Sequence, residues 1–296
     1  MWLRWVVSNL LNEMAEEKVQ QAVERAKHFV QTARGPRPGQ DPSAANAQPP
    51  EVALVFALGL ESGGLVDRTT HVVTTQCAAF VERVGMLDGR PVIIAESGVG
   101  QQAAMQATED LIKIHHPRWI VATGFAGALV PTLKCGHILM ADSIVDCDHQ
   151  SLEVGFHIAP QVVEATPSLR VGRLLTVDQL VRQRAEKEQL AADFGAVACD
   201  METMAIAQVC RQRQVRFLSV RVISDGLDDR LPPEVEHMLD QQSLAGKLGA
   251  ATRAIFQRPG SIKDMWKLQE TARRASDRLA NFLVGVIPQL SAQVNP

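Results

Sequence analysis

The sequence predicts an α/β domain, a single central mixed, mostly parallel twisted sheet flanked by helices, with an amphipathic helix added at each end. Three observations carry that expectation. Between residues 51 and 256, short apolar runs bounded by turn residues alternate with segments of helical periodicity. The apolar runs are continuous rather than alternating, as in strands buried on both faces. The 296 residues, 46% hydrophobic and 21% charged, have ordinary globular composition and ample length to bury a core.

The first element is a helix in the extension 1–34, where Ala15, Val19, Ala22, Ala26 and Phe29 recur at alternating spacings of four and three. Its narrow stripe suits packing on the chain's own domain or a sister subunit; with Trp2 and Trp5 it also suits peripheral contact with lipid. Residues 35–50, rich in Pro, Gly, Ala and Ser, read as a linker. The domain 51–256 follows, with strands expected at 51–58, 92–95, 119–122, 138–141, 196–199 and 217–223, and helices at 101–115 and 202–213. A C-terminal helical extension, 257–296, restarts after Pro259-Gly260 with Ser261 as N-cap and Asp264 in a variant capping box. Its stripe Leu268, Ala272, Ala275, Leu279, Phe282 matches that of the N-terminal helix, so the two could pack together.

Thirty Lys and Arg against 33 Asp and Glu leave a net charge of −3, which gives no global footprint for nucleic acid or an anionic membrane. The apolar start, 1–7, is cut short by Ser8 and Asn9, and no run approaches the 18 residues of a spanning helix, so neither a signal peptide nor stable membrane insertion is expected. Five cysteines without a C-x-x-C pair suggest neither a disulfide framework nor structural zinc, and a cytoplasmic location fits. The strong metal and nucleotide motifs are missing. His115 and His116, just before Pro117, suit a helix C-terminus, and Asp146-Cys147-Asp148-His149 has no partner cluster, so no metal or cofactor is expected.

The turn Glu96-Ser97-Gly98-Val99-Gly100-Gln101-Gln102-Ala103 contains G-x-G-x-x-A, but the next strand runs out as Val121-Ala122-Thr123-Gly124 without the acid a dinucleotide ribose would need. Such a turn still offers backbone N–H groups at a helix N-terminus to an anion, water or sugar hydroxyl. Taken with residues 123–136 (TGFAGALVPTLKCG), Asp200-Met201-Glu202-Thr203-Met204-Ala205 and Val220-Arg221-Val222-Ile223-Ser224-Asp225, it gives the chain a resemblance over about 52–245. The chain resembles the purine nucleoside phosphorylase and uridine phosphorylase superfamily, and most of all its methylthioadenosine/S-adenosylhomocysteine nucleosidase branch. The stretch 257–268 is also similar to a subgroup of hopanoid-associated phosphorylases.

The resemblance implies an enzyme that cleaves the N-glycosidic bond of a purine nucleoside, a small-molecule substrate, and assembles as a homo-oligomer whose neighbouring subunit completes the sugar-tail pocket. It makes Asp225 the general acid toward purine N7, which near pH 7 requires burial to keep the carboxyl protonated. Capping a helix is the structural alternative for Asp225, and Ser224 beside it could equally cap or bind substrate. Glu202 matches the acceptor of the ribose hydroxyls and Met201 the apolar surface under the sugar; a helix-start acid beside a core methionine is the alternative. Asp200 is expected to make a structural hydrogen bond. Ser97 and Gly98 belong to the substrate-binding turn, and Phe125, where the family has a small residue, could stack on the base.

The first loop, Ala57-Leu58-Gly59-Leu60-Glu61-Ser62-Gly63-Gly64, departs from the Glu-rich nucleosidase turn and keeps only Glu61 as water activator. Its glycines could instead cradle phosphate as a co-substrate, with Arg68 or Arg221 as charge partner. Hydrolysis leads, with phosphorolysis or a non-catalytic nucleoside-binding module as alternatives.

Overall fold

Val52–Phe56 forms the first strand, β1, and all five residues are buried. Its side chains divide by parity. Val52, Leu54 and Phe56 join Leu279 and Leu283 on one face, while Ala53 and Val55 meet Ala104, Leu111 and Ile206 on the other. Cover on both faces is why this strand is a continuous apolar run. The computed structural model describes residues 50–156, 158–229 and 261–292, with side chains of the last helix described over 270–290. The N-terminal helix expected in 1–34 and nearly all of the linker lie outside the described residues.

After β1 come α1 (Gly59–Val66), β2 (Thr70–Gln76), β3 (Val81–Leu87), β4 (Arg90–Glu96), α2 (Gln101–His115), β5 (Trp119–Ala128) and β6 (Ile138–Asp146). Then follow β7 (Ser151–Glu153), α3 (Pro160–Ala165), β8 (Leu169–Thr176), α4 (Arg184–Phe194), β9 (Ala198–Asp200), α5 (Thr203–Arg213), β10 (Arg216–Asp225) and α6 (Ser261–Ala292). The strands run in the order β10-β6-β8-β9-β5-β1-β4-β3-β2, and β10 also pairs with β5, so five strands close into a ring from which the others extend. β1 is parallel to β4 and β5, and β10 is parallel to β5. The carboxyl ends of these four strands therefore share one edge of the sheet, where ligands of open α/β sheets bind.

The mixed sheet agrees with the expectation, and α2 has the expected bounds. The β2–β3 hairpin, β8 and α4 carry no continuous apolar run and have no counterpart in the sequence reading. β2 is polar and mostly exposed, as an edge strand tends to be, and in α4 only Lys187 is buried. His116 is the C-cap of α2 in the left-handed conformation (φ 49°), with its N–H on Ile112 O. Asp146 Oδ1 accepts the N–H groups of Asp148 and Gln150, and His149 stacks on Phe194, so this acidic segment is a tight turn.

The expected division at residue 257 does not divide the core. The helix expected as a separate C-terminal extension buries Ala275, Leu279, Leu283, Ile287 and Leu290 in the same cluster as β1. It also packs on α1 at close range: Gly64 N–H donates to Ser276 Oγ (2.9 Å), which donates to Glu61 O (2.9 Å). A Cβ on Gly64 would lie 2.7 Å from Ser276 O, so only glycine permits this approach. Gly64→Ala should therefore destabilise the protein by about 1–3 kcal/mol, read as a lower denaturant midpoint, whereas Ser276→Ala should cost about 1 kcal/mol. An unchanged midpoint in Gly64→Ala would contradict the close packing of α6 on α1.

Candidate active site

Glu61 lies in the first turn of α1, where backbone N–H groups have no intrahelical partner. Its carboxylate folds back over that turn. Oε2 accepts the N–H groups of Ala57 (2.9 Å) and Leu58 (3.0 Å), and Oε1 accepts that of Phe125 (2.8 Å) from β5. Burial pushes the Glu61 carboxyl above its ordinary range, against the opposing pull of Arg221 and these N–H donors.

Arg221, on β10, is 1% exposed and stands among three buried acids: Glu61, Asp200 and Glu202. Its Nη2 meets Asp200 Oδ2 at 2.5 Å and donates to Thr203 Oγ1 at 2.6 Å. Asp200 also accepts Thr176 Oγ1 (2.9 Å) and the Thr203 N–H (3.0 Å), the structural role expected of it. Glu202 occupies the N-cap position of α5 without capping it. Its Oε1 instead accepts the Gly100 N–H (2.8 Å) at the start of α2. Burial, with repulsion from Asp200 and Glu61, pushes the Glu202 carboxyl up to about 8, while Arg221 and Gly100 oppose the rise. Gly124 makes room for this cluster: with φ +142°, a Cβ there would lie 2.8 Å from both Arg221 Nη1 and Glu61 Oε1.

Asp225 ends β10 just past a register shift against β5 that bulges out Ser224. Bulges re-aim side chains at sheet edges. Ser224 Oγ donates to Asp225 Oδ1 (2.8 Å), and the Lys187 ammonium donates to Asp225 Oδ2 (2.6 Å) and Gly226 O (2.8 Å). Lys187 is fully buried. Lys187 escaped the sequence reading because it sits on a charged helix, RAEKEQLAADF, that looks solvent-facing.

The remaining sequence candidates divide. Ser97 is buried, its hydroxyl between Gly98 O (2.8 Å) and Phe56 O (3.2 Å), so it ties the turn internally. Gly98 holds φ +84° in that turn. Met201 is half-buried against Leu175 and Cys199, and Phe125 is half-buried with its backbone N–H on Glu61. Arg68 is tied to the last turn of α1 and to α6: it donates to Gly64 O and Asn281 Oδ1 and pairs with Asp277. Arg221 is committed to Asp200. The glycine-rich stretch is a helix, and Glu61 holds the two amides of Ala57 and Leu58 that lead into it.

A closed mixed sheet with buried acids at the carboxyl edge of its parallel strands defines the class, and the comparison with protein families agrees. The model of the phosphorylase superfamily matches residues 51–257, and the chain belongs to that family of enzymes. A 5'-methylthioadenosine/S-adenosylhomocysteine nucleosidase of Tolumonas auensis is 29% identical over 64% of this chain and 92% of its own length. That of Haemophilus influenzae is 28% identical over 68% of this chain and 96% of its own length. Among solved structures, the nucleosidase of Helicobacter pylori shares the fold with a TM-score of 0.63 at 20% identity, covering 81% of this chain and 98% of that one. Futalosine hydrolase of the same organism shares it with a TM-score of 0.57 at 19% identity, covering 78% and 95%. Among the described residues no helix is long and apolar enough to cross a membrane.

The elevated Glu202 carboxyl has a consequence for stability. The folded protein holds this proton up to about pH 8, whereas the unfolded chain releases it in the ordinary carboxylate range. Stability therefore falls as pH rises through that window. Glu202→Gln removes the proton-linked loss, so the melting temperature of the variant relative to the unsubstituted protein should climb between pH 5 and pH 8; a difference flat with pH would contradict the assignment.

Proposed function

We propose that this chain hydrolyses the N-glycosidic bond of a purine nucleoside, with methylthioadenosine and S-adenosylhomocysteine as the substrate class. The observation that carries hydrolysis over phosphorolysis is Glu61 on the amides of Ala57 and Leu58. Those N–H groups are the natural place for an attacking phosphate, and a carboxylate already holds them. A phosphate there would also meet the buried carboxyls of Glu61 and Asp200, while Arg221 is paired with Asp200 and Arg68 with α6. The substrate class rests on similarity to the nucleosidases at 28–29% identity.

In this reading Glu61 is the base that takes a proton from the attacking water, and its elevated carboxyl brings its basicity closer to neutral pH. Glu202 has one oxygen on the Gly100 N–H and the rest of its carboxyl for the ribose hydroxyls, with which a protonated carboxyl both donates and accepts. Met201 and Phe125 offer apolar surface to sugar and base. Asp225 hands a proton to the leaving base. The reading of a non-catalytic binding module arose from the altered first loop; the retention of Glu61 in a buried, amide-bonded position counts against it. A cytoplasmic homo-oligomer that binds no nucleic acid completes the proposal, in keeping with five free cysteines and the net charge of −3.

The test is base release from methylthioadenosine, S-adenosylhomocysteine, adenosine, inosine and guanosine, each with and without phosphate, followed by chromatography. Free base and free sugar at equal rates in both conditions are expected; strict dependence on phosphate would overturn the reading. Asp225→Asn and Glu61→Gln should each lower kcat by about 10²- to 10⁴-fold, the range for a positioned acid or base. Near-normal turnover in either variant would remove that residue from its role.

A further inference from the structure

The proposed reaction needs a proton on the leaving base, yet the residue best placed to give it lies against a buried ammonium. Lys187 Nζ is 2.6 Å from Asp225 Oδ2 and 2.8 Å from Gly226 O, with the side chain wholly buried. Leu190, Ala191 and Phe194 of α4 are only partly buried against the core, so the one fully buried side chain of this helix is a lysine. A lysine stem gives little reason to be buried for packing in such a helix, and a largely buried ion pair is costly to form and weak as a stabilising device. Its position beside the proton donor gives it a different use.

We propose that Lys187 and Asp225 act as one two-group acid, in which Lys187 stores the proton that Asp225 delivers to the purine. The inference rests on the hydrolytic reading above. As the bond between the anomeric carbon and N9 lengthens, its electron pair withdraws into the base. A proton crosses from Lys187 Nζ to the Asp225 carboxylate, and the carboxylic acid passes it to the base nitrogen. The base leaves neutral, Lys187 is left as an amine, and the proton removed from the attacking water balances the one consumed. Lys187 is thus a positioning residue, and Asp225 is the group that touches the base.

Other titratable groups lie around the pair: Glu186 on α4 and Asp200 on β9 act with it on the Cys199 thiol, and Asp229 beyond β10 and Arg278 on α6 act with Asp225 on the Cys135 thiol, both thiols being pushed up and neutral. A carboxyl acting alone would lose its proton at low pH, so the two arrangements predict different alkaline limbs for kcat.

The experiment is the pH dependence of kcat and KM for base release by the full chain, in the unsubstituted protein and in Lys187→Gln, which keeps a hydrogen bond to Asp225 without the charge. The unsubstituted protein should hold its kcat to pH 9 or beyond. In Lys187→Gln, kcat should fall by at least 30-fold at pH 8, with KM changed less than threefold, and recover to within a few-fold at pH 5.5. A loss uniform in pH, or no loss, overturns the proposal in favour of a structural lysine. Should Lys187→Gln fail to fold, the unsubstituted profile decides alone: a kcat already declining between pH 5 and 7 overturns the two-group acid. If the unsubstituted protein releases no base from any of the nucleosides, the hydrolytic reading itself fails, and this inference goes with it.

Discussion

A single guanidinium organises the interior of this protein. Arg221 is 1% exposed and stands among Glu61, Asp200 and Glu202, which without it would place three carboxylates in a desolvated space. Removing one partner of such a buried group typically costs about 3–5 kcal/mol because the remaining charge is left uncompensated. The surrounding structure follows from this constraint. Thr176 and Thr203 supply hydroxyls to Asp200, Gly100 supplies an amide to Glu202, and Ala57, Leu58 and Phe125 supply three to Glu61. Gly124 gives up its side chain so that Arg221 and Glu61 can approach.

The same arrangement supports the proposed use of water over phosphate. Helix N-termini and tight turns at the carboxyl edge of a parallel sheet are ordinary anion sites. Here the chain has filled two of them with its own acids, Glu61 on α1 and Glu202 on Gly100 before α2. A site that has supplied its own anions favours a neutral nucleophile. Burial raises the Glu61 carboxyl, burial with repulsion from Asp200 and Glu61 raises that of Glu202, and groups tuned in this way are frequent at functional sites. The C-terminal helix belongs to this account, since Ser276 bonds the Glu61 carbonyl and α1 cannot shift without α6.

What could be read from the sequence tracks burial. β1 and α2 were legible because their apolar residues are either continuous or at helical spacing. The β2–β3 hairpin and α4 were not, because an edge strand such as THVVTTQ and a helix with one buried residue carry no apolar signature. Asp225, Glu202 and Glu61 were legible as residue types in recognisable motifs, but their partners were not. No local pattern says that Glu61 will take the amides that would hold a phosphate, or that Lys187, 38 positions from Asp225, will be its counterion. Arg68 illustrates the converse: proximity in sequence to a glycine-rich turn suggested a phosphate ligand, and tertiary packing sent the side chain to α6 instead.

The central claim of the proposed function is that Glu61 occupies the amides of Ala57 and Leu58 leading into α1 where a phosphate would bind, so that water is the nucleophile. Phosphorus NMR of the reaction with methylthioadenosine in millimolar phosphate tests it most directly. The account predicts that base accumulates while the inorganic phosphate signal stays constant and no new phosphorus resonance appears. A growing sugar 1-phosphate resonance, stoichiometric with the released base, would contradict it.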